Sequence, residues 1–334
     1  MRALPLVILA LASCQSNHNQ VSLGSPATTA LKTQELATDG DTRLKTLAAQ
    51  LPLEANAIFT NYRPKGPAQW ANGWPRRIDL TGVSWSQKQA GTAITPRHIV
   101  LAAHYPIKKG KILTFHDRSG KAHTRTIQRR ISLRKGENES RADITVALLD
   151  RPLPPEIKSY RLLPPRSDYG HTLPGCPALV TEQQRRLFIH QVSRQAGRII
   201  AFKKNPNYPE KLYKGLIKGD SGNPSFLLVG GEPVLIETHT GGGGGAGPFY
   251  SEPKVFAALE AAVAELDPSY RIKTVPLDPT LAPAPPTGNA TPRATPRVRP
   301  STLPQNSPVA PSSTQKPRVP RVRRVPTTDS TPSN

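Results

Sequence analysis

Between residues 78 and 250 the chain runs in short apolar or alternating stretches separated by turn-forming residues. The stretches 78–85, 91–95, 99–103, 111–116, 144–149, 178–181, 187–192, 198–202, 225–228 and 234–238 have the lengths of strands. Asp117-Arg118-Ser119-Gly120 predicts a hairpin turn. Many short strands at this spacing predict an all-β barrel or sandwich. After them, Ser251 is placed to cap a helix over 255–266, whose Phe256, Leu259 and Val263 share one face. Asp267-Pro268 stops it, because the residue before a proline disfavours helical backbone. Upstream, residues 41–51 predict a short helix with Asp41 as its N-cap.

The ends of the chain have a different character. Residues 15–40 are rich in Ser, Thr, Asn, Gln and Gly and predict a flexible tether. From Pro276 onward there are 15 prolines among 59 residues, with eight basic residues against two acidic ones. Such a segment buries no apolar core and is expected to be extended and disordered. The whole chain has 334 residues, a formal charge of +22 and an apolar fraction of 36%. That fraction is below the about 45–50% of an average globular chain, glycine included, so one folded domain with poorly ordered ends is expected. The charge is spread along the chain. It suits anionic envelope polymers more than nucleic acid, or else a plain solvated basic surface and a spacer tail.

Met1-Arg2 followed by the apolar run 3–10 reads as a secretory leader, too short to span a bilayer as a mature helix. It ends in Leu11-Ala12-Ser13-Cys14, which resembles the bacterial lipobox. The resemblance implies lipidation of Cys14 and anchoring to a membrane, since acyl chains gain about 0.8 kcal/mol per buried CH₂. Gln15 then leans toward the outer membrane and periplasm over the inner membrane. The alternatives are an ordinary leader cut near Ser13 or a buried N-terminal segment. With Cys14 so used, Cys176 has no disulfide partner and is expected to be a buried apolar residue.

Three segments carry candidate chemistry. Residues 91–104 run as strand, turn and strand into Ala102-Ala103-His104; Asp143 opens the apolar strand 144–149; and Gly219-Asp220-Ser221-Gly222-Asn223-Pro224 is a glycine-bounded turn around a serine. Each alone is a weak signal, for a lone histidine is more often structural and an aspartate more often a cap. Together, in the order His, Asp, Ser, they resemble the trypsin/chymotrypsin family of serine proteases. The separations are 39 and 78 residues. The resemblance implies a chymotrypsin-like double β-barrel with a C-terminal helix, and a triad of His104 as general base, Asp143 as its orienting carboxylate and Ser221 as nucleophile. It also implies an oxyanion hole from the amides of Gly219 and Ser221. Two departures stand out: Asn223 replaces a glycine, and the Ala-Leu-Leu after Asp143 comes two residues late. Asp150 is the reserve carboxylate. An α/β-hydrolase fits poorly, because its elbow needs glycine at 223 and its triad runs Ser, Asp, His.

Specificity is read from the same resemblance. Gly215 would lie at the base of the primary pocket, where an acidic residue would select basic substrates. Thr238 would support Asp143, and His239 with Thr240 would wall the pocket, His239 favouring an acidic substrate side chain. The glycine run 241–245 is expected to leave this wall open or mobile. Asp220 lacks the freed Ile-Val terminus that animal relatives use, so a nearby basic side chain is its expected partner. The organisation that follows is a leader over 1–13, a tether or pro-segment over 14–54, a protease domain over 55–275 and a basic tail over 276–334. A protein or peptide substrate, no cofactor or metal, and a monomer are expected. A protease fold that has lost activity and serves as an envelope-binding or adhesion module is the competing reading.

Overall fold

The computed structural model describes residues 31–51, 55–86, 89–134 and 142–278. Residues 1–30, with the expected leader and Cys14, and the residues from 279 onward lie outside these. Most of the described chain is β. One sheet holds β1 (Val83–Ser86), β2 (Gln89–Ala93), β3 (His98–Ala102), β4 (Ile112–His116), β5 (Ala122–Ser132) and β6 (Ile144–Leu149), in the order β1-β2-β3-β6-β5-β4. A second holds β7 (Pro177–Thr181), β8 (Leu187–Ala196), β9 (Ile199–Lys204), β10 (Pro224–Val229), β11 (Glu232–Thr238) and β12 (Ala246–Pro248), in the order β11-β10-β7-β8-β9-β12. Every neighbouring pair is antiparallel. Written around a ring, both sheets have one order: first, second, third, sixth, fifth, fourth. The first ring is broken between β4 and β1, the second between β11 and β12.

The apolar runs are continuous because the central strands are buried on both faces, and alternation decides which core each side chain enters. Ile99 and Leu101 face the interior of the first sheet with Leu113, Phe115 and Ala147, whereas Val100 between them joins a core shared by both sheets. In the second sheet Leu227 and Ile236 face its own interior, and Phe226, Leu228 and Leu235 the shared core. The Asp117 turn joins β4 to β5 as expected. Asp117 Oδ1 accepts from the amides of Ser119 and Lys121 at 2.9 and 3.1 Å, and Gly120 has a φ of +87°.

Two helices close the shared core. The C-terminal one, α2 (Pro253–Leu266), buries Val255, Leu259, Ala262, Val263 and Leu266, with Phe256 only partly covered. Its cap is Glu252, which accepts from the Val255 amide at 2.9 Å; Ser251 is buried and donates to the Leu163 carbonyl instead. The N-terminal one, α1 (Leu36–Gln50), starts five residues before the predicted cap. Asp41 lies inside it and accepts from the Tyr208 hydroxyl at 2.9 Å. Residues 31–51, predicted as tether and short helix, are therefore part of the folded unit: Leu44 and Leu47 enter the shared core, and Asp39 accepts from the Gly230 amide at 2.9 Å. Leu31–Lys32 pairs with Leu277–Asp278. Among the described residues no helix is long and apolar enough to cross a membrane.

Two buried histidines make stability depend on acid. His98 meets Thr95 Oγ1 through Nδ1 at 2.8 Å, and His190 donates through Nδ1 to the Gly244 carbonyl at 2.9 Å. In both, Nε2 is buried without a partner. Burial, which penalises the charged ring, lowers each from 6.5 to about 4. The unfolded chain therefore binds protons that the native state refuses. The contribution of these two rings is complete above about pH 6.5, falls toward pH 4, and levels off below it, with a slope approaching about 1.4 kcal/mol per pH unit for each ring. Urea midpoints measured at pH 7 and 5 should differ in that direction. A His98→Gln, His190→Gln double variant should flatten the difference, and equal wild-type midpoints would rule the mechanism out.

Candidate active site

The end of β3 and the start of β6 set the first two groups. Ala102 is paired with Ile144 across the sheet, and the Ala103 amide donates to the Asp143 carbonyl at 3.2 Å. This register puts the residue after Ala103 beside the residue before Ile144. His104 donates to Asp143 twice, through its backbone amide to Oδ1 at 2.8 Å and through Nδ1 to Oδ2 at 2.6 Å. Two bonds to one carboxylate fix both the tautomer and the tilt of the ring, leaving Nε2 as an acceptor. Ser221 Oγ, from the turn that leads into β10 of the second sheet, lies 2.9 Å from that nitrogen. The three residues singled out from sequence are thus brought into one hydrogen-bonded line. Asp150 is not part of it; its Oδ1 accepts from the Thr126 amide at 2.9 Å.

The turn that carries Ser221 is held by its own polar groups. Gly219 and Gly222 have φ of +102° and +86°, a region that glycine occupies without strain. Asp220 is 1% exposed, and both carboxylate oxygens accept backbone bonds: Oδ1 from Gln183 at 3.1 Å and Oδ2 from Ile217 at 2.8 Å. Its partners are two amides, and the basic side chain expected from sequence is not needed. Among the described residues, no group accepts from the amide of Gly219 or of Ser221, so both remain free for an incoming oxygen.

Asn223, the departure from glycine, has a structural role. Its side chain is fully buried; Oδ1 accepts from Trp85 Nε1 at 3.0 Å and Nδ2 donates to the Asp220 carbonyl at 3.0 Å. The Trp85 carbonyl in turn accepts from the Tyr62 hydroxyl. The turn of one sheet is thereby tied to β1 of the other. A glycine would leave the buried indole N–H without its partner, at a cost of about 1–3 kcal/mol. Motif comparison marks position 223 as a departure, but only the tertiary contact with Trp85 explains it.

Around the expected pocket the structure differs from the sequence expectation. Thr238 does not reach Asp143. It is paired with Pro224 in the sheet, and its Oγ1 meets the Tyr250 hydroxyl at 2.8 Å. His239 is 1% exposed, with Nε2 at 3.1 Å from the Thr181 carbonyl and Nδ1 at 2.8 Å from Glu237 Oε1. The second contact is a close approach off the line of a hydrogen bond, and neither atom finds a hydrogen-bond partner. Both nitrogens are turned inward and offer nothing to an acidic substrate group. The Thr240 amide donates to the Ala246 carbonyl at 2.9 Å. The glycine run forms no open wall: Gly241 bridges Ala246, and Gly243 bridges Leu216 beside Gly215. Glu237, fully buried, escaped sequence reasoning because nothing local marks a strand glutamate as turned inward. Cys176 is free and buried, and burial pushes its thiol up to about 12, which makes it inert.

No protein-family model matches the chain, and comparison with curated proteins gives no match.

Proposed function

We propose that the chain is a serine endopeptidase of the trypsin/chymotrypsin type. The observation that carries the reading is the line from Asp143 Oδ2 to His104 Nδ1 at 2.6 Å and from His104 Nε2 to Ser221 Oγ at 2.9 Å. The ring order common to the two six-stranded sheets supports it, since two such sheets side by side suit a double β-barrel with the site along the seam. In this reading Ser221 Oγ attacks the scissile carbonyl carbon while His104 Nε2 takes the hydroxyl proton. The carbonyl oxygen, now negative, meets the amides of Gly219 and Ser221. His104 returns the proton to the leaving amine, and water releases the acyl group from Ser221 by the same route. Asp143 holds the imidazole tautomer and favours its charged form. Because amides anchor Asp220, the turn keeps this shape without a liberated chain terminus.

Lipid attachment at Cys14 would hold the domain at the bacterial envelope, with the basic tail available to anionic polymers there. The substrate is a protein or peptide, and no cofactor enters the chemistry.

A fluorophosphonate probe tests the reading. The wild-type chain is expected to be labelled at one serine, and labelling is expected to vanish in Ser221→Ala and in His104→Ala. A folded wild type that takes no label would favour the inactive binding module instead.

A further inference from the structure

The primary pocket of a protease built this way lies between two walls. One is the approach to the nucleophile turn, 215–218; the other is the chain from Thr240 to Gly247. Here the walls are bonded to each other. The Leu216 amide donates to the Gly243 carbonyl at 2.7 Å and the Gly243 amide to the Leu216 carbonyl at 3.0 Å. The amides of Thr240 and Gly241 both donate to the Ala246 carbonyl at 2.9 Å. Backbones paired in this way stand about 5 Å apart, a strand spacing, which leaves no slot for a ring or a long side chain.

The Leu216 side chain fills what remains. It is 4% exposed and belongs to the same apolar cluster as Phe202, Ile236 and Phe249. A Cβ placed on Gly245 would lie 2.9 Å from Leu216 Cδ1 and 3.3 Å from Phe202 Cδ2, so this layer is closely packed. Glu237 and His239 are 0% and 1% exposed. A Cβ on Gly247 would come within 2.0 Å of Glu237 Oε2, so the carboxylate takes up the space that glycine leaves. The ionisable pair is therefore sealed off, and neither His239 nitrogen is exposed to meet an acidic substrate group.

We infer that Leu216 closes the primary pocket and restricts the substrate residue whose carbonyl is attacked to glycine, alanine or serine. The inference rests on the reading of Ser221 as a protease nucleophile. A side chain no larger than a methyl or hydroxymethyl group needs no deep cavity, whereas each additional methylene must displace packed atoms.

The test uses the full-length chain and aminoalkyl diphenyl phosphonates, which label an activated serine and carry the substrate side chain themselves. Labelling by a plain fluorophosphonate comes first; its absence would overturn both the protease reading and this inference. Given that labelling, the alanine analogue is expected to react about 100-fold faster than the phenylalanine, glutamate or lysine analogues. Fastest reaction with the lysine analogue would overturn the inference in favour of recognition by Glu237, and fastest reaction with the glutamate analogue in favour of His239. Leu216→Ala is expected to raise the phenylalanine-to-alanine rate ratio about tenfold or more, and Leu216→Val to give an intermediate value. The ratio is taken within one variant, so partial unfolding cancels from it. An unchanged ratio in both variants would overturn the role of Leu216.

Discussion

Replacing Asp143 with asparagine is expected to slow fluorophosphonate labelling of Ser221 by about 10⁴-fold while leaving the fold intact. Asp143 accepts from the His104 amide at 2.8 Å and from Nδ1 at 2.6 Å. An asparagine has one acceptor oxygen for these two donors. If its oxygen stays with the backbone amide, its NH₂ faces Nδ1, and the imidazole must move its proton to Nε2 to avoid donor against donor. Nε2 then carries the hydrogen that it should be receiving from Ser221. Both side chains are about one quarter to one third exposed, at 26% and 31%, so solvent softens the loss for the fold more than for the chemistry. The check is a labelling time course beside a thermal melt. Labelling within tenfold of wild type would mean that another group orients the base.

Asp220→Asn is expected to show a different pattern, losing stability and labelling together. Both Asp220 oxygens accept from backbone amides, of Gln183 and Ile217, and Asp220 itself is 1% exposed. The asparagine NH₂ would confront one of those N–H groups in a place that water does not reach. The cost is about 1–3 kcal/mol for the buried donor left unsatisfied. The same carboxylate pins the turn from Gly219 to Ser221, so the two free amides would lose their aim, slowing labelling by about 10²-fold. Urea unfolding and labelling rates, measured on the same preparations, separate the two aspartates. Full stability in Asp220→Asn would remove the anchor role assigned to this carboxylate.

What the sequence disclosed follows from which interactions are local. Strand β6 was legible to the residue because Ile144–Leu149 is buried on both faces, and burial on both faces writes an unbroken apolar run. Strand β5 was not, because Ala122–Ser132 is largely polar and exposed and owes its conformation to pairing with β4 and β6. Likewise, α1 begins among polar residues that resemble a tether, and only Leu44 and Leu47, once docked, show that it is held. The candidate triad was legible since each of its three residues sits in a segment whose local pattern dictates its turn or strand. The pocket was not. Glycine permits an open loop and a tightly bonded bridge equally well, and the bridge that forms depends on Leu216 of a distant segment as well as on Ala246 next to the run. Thr238 and His239 are adjacent, so alternation alone does not bury both; each is held by a distant partner, the Tyr250 hydroxyl for Thr238 and the Thr181 carbonyl for His239.

His104 and Asp143 hang from the first ring of strands and Ser221 from the second, and Trp85 and Asn223 bolt one ring to the other within the shared core. Neither half holds a working set of groups. In the proposed protease role, a partly folded chain carries either a base with nothing to deprotonate or a hydroxyl with nothing to deprotonate it. In that role competence to cut requires both halves, so completed folding acts as the safety catch of the molecule.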